Sequence, residues 1–177
     1  MSTADETRPA ARLTVLAGPS GAGRASVVEA VRARFPATWT PVPATTRPRR
    51  GHEVHGVDRI FLDPAGFARL VAEGRLIEWS RVGPYLRGTP HRPVRARLVA
   101  GRPVLLPLDP DGALRVREVE PDARLVLLVP PGFRPDARTA AAFELTLRHD
   151  LLERVTGELV GLLGSSFPAP VQPRPRG

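Results

Sequence analysis

The sequence contains no cysteine and no lysine, and each absence excludes a class of chemistry. Without cysteine the chain forms neither a disulfide nor a thiolate metal site. Without lysine all 26 basic residues are arginine, and the net charge is +8. A basic chain is compatible with nucleic-acid binding, but the arginines are spread along the chain, and aromatic residues make up only 5% of it. We therefore expect a solvated basic surface and no nucleic-acid partner.

Long apolar runs are also missing. No stretch is long enough to span a bilayer, and the polar segment Met1–Arg12 lacks the apolar centre of a signal peptide. We therefore expect a cytoplasmic protein that does not bind membranes. The length of 177 residues suits one domain with a sizeable core. Disordered segments are expected at 1–11 and at 165–177, the second of which is rich in proline and arginine.

What the sequence does contain is a glycine-rich loop between a predicted strand at Leu13–Ala17 and a predicted helix at Arg24–Arg34. This order is typical of the phosphate-binding loop G-x-x-x-x-G-K-[ST], in which backbone N–H groups surround an anion at a helix N-terminus. The expected phosphate-binding residues are Gly18, Ser20, Gly21, Ala22, Gly23, Arg24, Ala25 and Ser26.

Two positions of the loop depart from this pattern. Arg24 stands where a lysine normally contacts the β- and γ-phosphates, and Ala25 stands where a serine or threonine hydroxyl contacts Mg²⁺. Because lysine is absent from the whole chain, Arg24 is explained equally by compositional drift and by selection. In either case the loop is suited to hold a phosphate and poorly equipped to transfer one.

Strand and helix patterns alternate along most of the chain, which predicts a parallel α/β core. Further core elements are expected as strands at 103–108, 124–129 and 143–147 and as helices at 93–100, 112–119 and 150–163, the last N-capped by Asp150. The pattern changes between residues 41 and 90, which indicates an inserted lobe. Short strands are expected there at 41–44, 57–62, 76–82 and 85–87, with a helix at 64–73.

Two further clusters, taken with the loop, resemble guanylate kinases in order and spacing. The family patterns are T-T-R-x-x-R-x-G-E, then E-W, then Y-G-T. The corresponding residues here are Thr45-Thr46-Arg47-Pro48-Arg49-Arg50-Gly51-His52-Glu53, then Glu78-Trp79, then Arg87-Gly88-Thr89. The resemblance covers residues 12–131 and, more loosely, 143–163. It implies a P-loop NTPase-type parallel sheet core flanked by helices (12–40 and 91–164) with an inserted β-rich GMP-binding lobe (41–90). It also implies ATP-dependent phosphorylation of GMP, with ATP and Mg²⁺ as cofactors.

The resemblance also implies roles for single residues. Arg47 and Arg50 match the arginines that hold the GMP phosphate, and guanidinium groups pair bidentately with phosphate oxygens. Glu78 matches the carboxylate that accepts N1–H and the 2-amino group of guanine, and Thr89 matches a hydroxyl that contacts the base. Asp109 matches an acid near the nucleotide and Mg²⁺, and a helix N-cap or turn residue is the alternative reading. Arg24 and Asp109 are the candidate catalytic residues.

Several departures from the family pattern lie in the same region. Arg59 and Arg87 replace two tyrosines whose hydroxyls support the GMP phosphate, so both remain candidates for GMP binding. Pro43 replaces a serine that contacts the base, and Pro107 replaces the first of two acids. The interval 132–142, which in the family is several times longer and contains a lid with catalytic arginines, is short here. The lid is therefore expected to be reduced or absent.

These observations leave three functions open. The first is a protein that binds GMP or another guanine nucleotide together with ATP, with phosphoryl transfer weak or lost. The second is a non-catalytic module that holds a phosphorylated peptide, since four arginines exceed the needs of one monophosphate. The third is a sugar phosphate kinase, which Glu78 disfavours. No residue is assigned as a metal ligand, since His52 and His55 are expected to be exposed loop residues without a third partner.

Overall fold

The computed structural model describes residues 11–165. The disorder expected at both ends therefore falls, except at residues 11 and 165, outside the described residues. In chain order the elements are β1 Leu13–Ala17, α1 Arg24–Arg34, β2 Ala44–Thr45, β3 Ile60–Phe61, α2 Pro64–Ala72, β4 Leu76–Val82, β5 Tyr85–Pro90, α3 His91–Val99, β6 Val104–Leu108, α4 Pro110–Val119, β7 Arg124–Val129, α5 Ala137–Ala142, β8 Leu145–Arg148 and α6 Leu152–Gly164.

The core sheet has the strand order β6-β1-β7-β8, and all of its pairings are parallel. β1 lies at its centre, with Leu13 opposite Val104 and Ala17 opposite Leu108. A parallel sheet is covered by helices on both faces, so its strands are apolar throughout, and every residue of β1 is buried. The mixed α/β fold with a parallel sheet core and flanking helices, expected from the alternation of patterns, is confirmed.

Two apolar clusters lie on opposite faces of the core sheet. On one face residues of α1 and α6, including Val27, Val31 and Leu159, pack against Leu16 and Leu128. On the other face α3 and α4 contribute residues that pack against alternate positions of β1, β6 and β7. The alternation of side chains along each strand divides the apolar residues between the two clusters. This packing holds the ends of β1, β6 and β7 side by side.

The lobe has its own sheet, of order β3-β2-β5-β4, in which β4 and β5 form an antiparallel hairpin. The strand expected at 41–44 is wrong apart from its last residue, since Pro41 and Pro43 have no N–H to donate to a ladder. The strand expected at 57–62 shortens to β3, because the N–H groups of Val57 and Asp58 instead donate to the carbonyl of Val54 in a turn.

Several helix boundaries also differ from the expectation. α4 begins two residues early, because Asp109 N-caps it by accepting the N–H of Gly112 (2.7 Å). Asp150 is not the N-cap of α6, which is Leu151; the Asp150 carboxylate instead accepts from the Leu151 N–H and pairs with Arg154. α3 begins at His91 rather than at residue 93.

The segment between β7 and β8 contains one element, the six-residue helix α5. This helix was not expected from the sequence. Asp136 caps it by accepting both the backbone N–H (2.8 Å) and the hydroxyl of Thr139 (2.7 Å). β8 then returns directly to pair with β7. The short interval 132–142 predicted a reduced lid, and a segment with a single six-residue helix agrees with that prediction.

Candidate functional site

The glycine-rich loop connects β1 to α1 in the way the sequence pattern predicts. Gly18 is buried, and a Cβ there would lie 2.6 Å from the carbonyl oxygen of Leu128. Gly21 and Gly23 have φ of +80° and +82°, a backbone conformation that favours glycine. Gly23 is the N-cap of α1, no side chain caps this end, and the first turn has no acidic residue. Ser20, Ala25 and Ser26 are exposed around it. The positive end of α1 is therefore available to an anion.

Arg24 and Asp109 both lie at this end of the core and interact through charge. Strands β1 and β6 are neighbours; Asp109 directly follows β6, and Arg24 begins α1 after the loop that follows β1. Half-burial lowers the pKa of the Arg24 guanidinium, and the charge of Asp109 opposes that shift. In the lobe, burial raises the pKa of Glu78, and the charge of Asp109 adds to that rise. Asp109 is thus both a helix cap and a charge that reaches the loop and the lobe.

Glu78 and Thr89 form a buried polar pair on the β4–β5 hairpin, where they lie opposite each other in register. Their residues are 5% and 1% exposed, and the Thr89 hydroxyl donates to Oε1 of Glu78 (2.7 Å). Burial raises the pKa of Glu78, while the Thr89 hydrogen bond and the charge of Arg87 lower it. Glycine at position 88 lets the two strands lie close together here, because a Cβ there would lie 3.0 Å from the backbone carbonyl oxygen of Glu78. Oε2 of Glu78 has no hydrogen-bond partner within residues 11–165.

Glu53 organises the arginine-rich loop, a role the sequence reasoning did not assign. Its Oε1 pairs with Arg47 (2.6 Å), its Oε2 accepts the backbone N–H of Arg50 (2.8 Å), and Arg59 Nε lies 3.8 Å from Oε1. The hydrogen bond from Arg47, and after it that from the backbone of Arg50, lower the pKa of Glu53 to about 2. The sequence feature that could have indicated this role is a single carboxylate three residues after Arg50, close to a run of arginines.

A cavity of about 310 Å³, here called the arginine pocket, lies beside this loop. It is lined by Thr45, Arg47, Arg59, Val82, Tyr85 and Arg87. Nε of Arg87 is buried without a hydrogen-bond partner among the described residues. Burial lowers the pKa of Arg59, and the charges of Arg87 and Arg47 lower it further. The pocket therefore holds more positive charge than Glu53 neutralises.

The predicted phosphate-contacting residues do not all line the arginine pocket. Arg50 is exposed and is not among the pocket residues, although its charge acts on both Glu53 and Arg59. Tyr85, which no sequence argument assigned, does line the pocket. The only sequence feature that indicated Tyr85 was its position two residues before Arg87; it is the single tyrosine of the chain.

A second cavity of about 310 Å³ lies between the lobe and the core, here called the lobe–core cavity. Thr89 lines it, as do Pro43 and Pro107, two positions where the expected polar side chains are missing. Arg59 and Arg87 line both cavities. Arg87 therefore joins the arginine pocket to the surroundings of Thr89.

Neither a metal site nor a membrane span is found within residues 11–165. The described His, Asp and Glu side chains form no group of three or more that could hold a metal ion, and none of the helices in this range is long and apolar enough to cross a membrane. His55 accepts the N–H of Phe61 through Nδ1 (3.1 Å) and so stabilises the lobe. His149, which sequence reasoning did not assign, contacts the glycine-rich loop through Ala22.

Comparison with known proteins gives concordant matches. The sequence model of the family described as Guanylate kinase matches residues 10–141. A guanylate kinase of Streptomyces kasugaensis is 40% identical over 89% of this chain and 88% of its own length. One of Thermobifida fusca is 52% identical over 122 residues, which are 69% of this chain but only 62%, less than two thirds, of that relative. The crystal structure of guanylate kinase from Anaplasma phagocytophilum has a similar fold, with a TM-score of 0.69, 23% identity, and coverage of 90% of this chain and 88% of its own.

Proposed function

The chain belongs to the guanylate kinase family, and from this premise we propose that it binds GMP between lobe and core and phosphorylates it from ATP slowly. The observation that carries the proposal is the position of Arg87. It lines both cavities, and its charge acts on Glu78. Glu78 lines neither cavity, but its hydrogen-bond partner Thr89 lines the lobe–core cavity, which shares Arg59 and Arg87 with the arginine pocket.

The chemistry of GMP complements the two ends of this cleft. The guanine edge offers two N–H donors, and Glu78 offers Oε2 without a partner and Oε1 shared with Thr89. The phosphate is a dianion, which suits the guanidinium groups of Arg47, Arg59 and Arg87. Glu53 already fixes the orientation of Arg47 through a contact of 2.6 Å. Binding therefore requires little rearrangement of the pocket.

Phosphoryl transfer is expected to be slow because several contributors are missing. Transfer depends mostly on positioning and charge stabilisation. Loss of one electrostatic donor costs on the order of 10²–10³ in rate, and loss of a transition-state arginine costs about 10³–10⁵. Ala25 lacks a hydroxyl, and a six-residue helix occupies the place of the lid. Even with non-additivity, turnover roughly 10⁴–10⁶ below the usual kinase range of about 1–100 s⁻¹ is expected.

ATP is the expected phosphoryl donor, held at the loop by backbone N–H groups and Arg24. Mg²⁺ is the cofactor expected from the family, but the residues present do not form a site for it. Ala25 and Pro107 supply no oxygen ligand in their side chains, and Oδ1 of Asp109 caps α4. No step of the proposal depends on a metal held by the protein.

The proposal is tested by calorimetric titration with GMP and with ATP, followed by a coupled assay of ADP release. We expect GMP binding, slow turnover, and faster turnover in the double variant Arg24→Lys/Ala25→Ser, which restores the loop pattern. Turnover at ordinary kinase rates in the unaltered protein would show that the slow-transfer part is wrong. Absence of GMP binding at millimolar concentration would show that the binding part is wrong.

A second candidate function is the binding of a ligand with more negative charge than GMP. The specific observation is that Arg87 Nε is buried without a partner and that the neighbouring arginines lower the pKa of Arg59. A guanine nucleotide phosphorylated at two positions or a phosphorylated peptide would supply the missing charge. Competition between these ligands and GMP discriminates the two functions. If GMP binds at least as tightly as all of them, the second candidate fails.

A further inference from the structure

His149 contacts the glycine-rich loop from the opposite end of the chain. It directly follows β8, and its backbone N–H donates to the carbonyl of Val129 (2.8 Å). That bond places the imidazole at the carboxyl end of the core sheet, where the loop after β1 also lies. Nδ1 of His149 is 2.7 Å from the carbonyl oxygen of Ala22. A residue 127 positions away in sequence thus contacts the backbone of the loop.

The chemistry of this contact fixes which atom carries the hydrogen. A carbonyl oxygen only accepts, so Nδ1 donates, either in the neutral Nδ1–H tautomer or in the imidazolium form. The peptide between Ala22 and Gly23 is trans, and in a planar trans peptide the C=O and the N–H point in opposite directions. Holding the Ala22 carbonyl toward His149 therefore turns the Gly23 N–H to the other side of the peptide.

The imidazole also closes the space next to Gly23. A Cβ at that position would lie 2.4 Å from Cε1 and 2.5 Å from Nδ1 of His149. Gly23 also has a φ of +82°, and it is the N-cap of a helix without a side-chain cap. Two features therefore require glycine at position 23: the positive φ of the backbone and the His149 ring, which fills the space that a Cβ would need.

We propose that His149 is a positioning residue that holds the Ala22–Gly23 peptide in its phosphate-binding orientation. The inference rests on the proposed function in one respect, which is that the loop binds the phosphates of ATP. His149 itself does not have to contact the nucleotide. It acts through the backbone of the loop, whose N–H groups are the ones expected to hold the phosphates.

Three proteins test this role. His149→Phe keeps a ring but removes the donor, whereas His149→Asn keeps an N–H donor close to the position of Nδ1. Titration of each variant and of the unaltered protein with ATP alone and with GMP alone gives separate affinities. We expect His149→Phe to weaken ATP binding roughly 3- to 10-fold, the range for loss of one hydrogen bond, with GMP binding unchanged. His149→Asn is expected to recover most of the ATP affinity.

A second readout does not require ligand. Amide ¹⁵N spectra should show the Gly23 N–H displaced in His149→Phe and restored in His149→Asn, and the imidazole ¹⁵N shifts of the unaltered protein should report a protonated Nδ1. If the unaltered protein does not bind ATP, the ATP part of the proposed function fails and these spectra alone decide the role of His149. An unchanged Gly23 amide in His149→Phe, ATP binding within about twofold of the unaltered protein, or equal losses for ATP and GMP would overturn the proposal.

Discussion

Replacing Glu78 by glutamine separates the stability of the lobe from its proposed ligand binding. Glutamine keeps the size of the side chain, and its Oε1 still accepts from Thr89. Its amide nitrogen, however, takes the place of the unpartnered Oε2. In the proposed complex two guanine donors meet this group, so one N–H would face another donor. A charge-assisted hydrogen bond contributes about 1.5–3 kcal/mol, and an unpaired donor costs about 1–3 kcal/mol. GMP affinity should therefore fall roughly 10²- to 10⁴-fold.

The same substitution should stabilise the protein without ligand at neutral pH. Burial raises the pKa of Glu78, so the folded state binds this proton more tightly than the unfolded chain does. That contribution to stability is fully present below the pKa of the unfolded chain and is lost as pH rises through the raised pKa. Glutamine never carries the buried charge. The melting temperature of Glu78→Gln should exceed that of the unaltered protein at neutral pH, and the difference should disappear in acid.

Calorimetry with GMP and thermal unfolding over a range of pH measure the two effects. Glu73→Gln is a matched control, because Glu73 lies in the same lobe, its side chain is 54% exposed, and it pairs with Arg75 at the surface. The control should change GMP affinity less than about twofold, as expected for an exposed ion pair. Our reasoning is refuted if Glu78→Gln binds GMP as tightly as the control does, or if it melts at a lower temperature at neutral pH.

Three other perturbations address the arginine pocket and the core. Arg87→Tyr should weaken the ability of inorganic pyrophosphate to compete with GMP about tenfold or more, because a charge-assisted contact is lost. If the substitution lowers the affinity for pyrophosphate less than the affinity for GMP, the surplus of positive charge in the pocket is contradicted. The pKa of Glu53 is lowered to about 2, so its contribution to stability is present above the ordinary pKa of 4.5 and is lost as pH falls through about 2. The melting temperature of Glu53→Gln should therefore depend less on pH between these two values than that of the unaltered protein does. Leu159→Ala should lower the free energy of unfolding in urea by about 2–5 kcal/mol, since Leu159 is 0% exposed. The control Leu152→Ala should lower it far less, because Leu152 is 41% exposed. Equal losses in the two variants would contradict the packing of α6 against the core sheet.

The parts of the fold that follow from local sequence were predictable. The bounds of β1, α1 and β7 match the expectation, because each is an apolar strand or an amphipathic helix bounded by glycine, proline or charge. The bounds of the short strands β2 and β3 were not predictable, since they depend on backbone hydrogen bonds with segments that are distant in sequence. Thr45, for example, donates its hydroxyl to the carbonyl of Leu86 (3.0 Å) across the lobe sheet.

The candidate site divides in the same way. Arg47, Glu78 and Thr89 were predicted from motifs, and the Glu78–Thr89 contact depends on a hairpin whose two strands are adjacent in sequence. His149 could not be found in this way, because its contact with Ala22 joins two ends of the chain that only the assembled core sheet brings together. Glu53 was visible in the sequence, but the fact that its two oxygens accept from different arginines follows from the turn of the loop.

Arg87 couples the two halves of the cleft through charge. Burial raises the pKa of Glu78, and the guanidinium of Arg87 opposes that rise; burial lowers the pKa of Arg59, and Arg87 lowers it further. Arg87 therefore favours the ionised carboxylate and disfavours the neighbouring cation. Glu53 offsets only part of this charge, because its oxygens also contact Arg47 and the backbone of Arg50 and lie 3.8 Å from Nε of Arg59. A phosphate would neutralise Arg87 and Arg59 but would leave Glu78 with less support for its charge, whereas a base alone would satisfy Glu78 and leave the arginines repelling one another. A ligand that carries both groups on one molecule relieves both ends at once, so we infer that a guanine monophosphate suits these residues better than a nucleoside or free phosphate alone does.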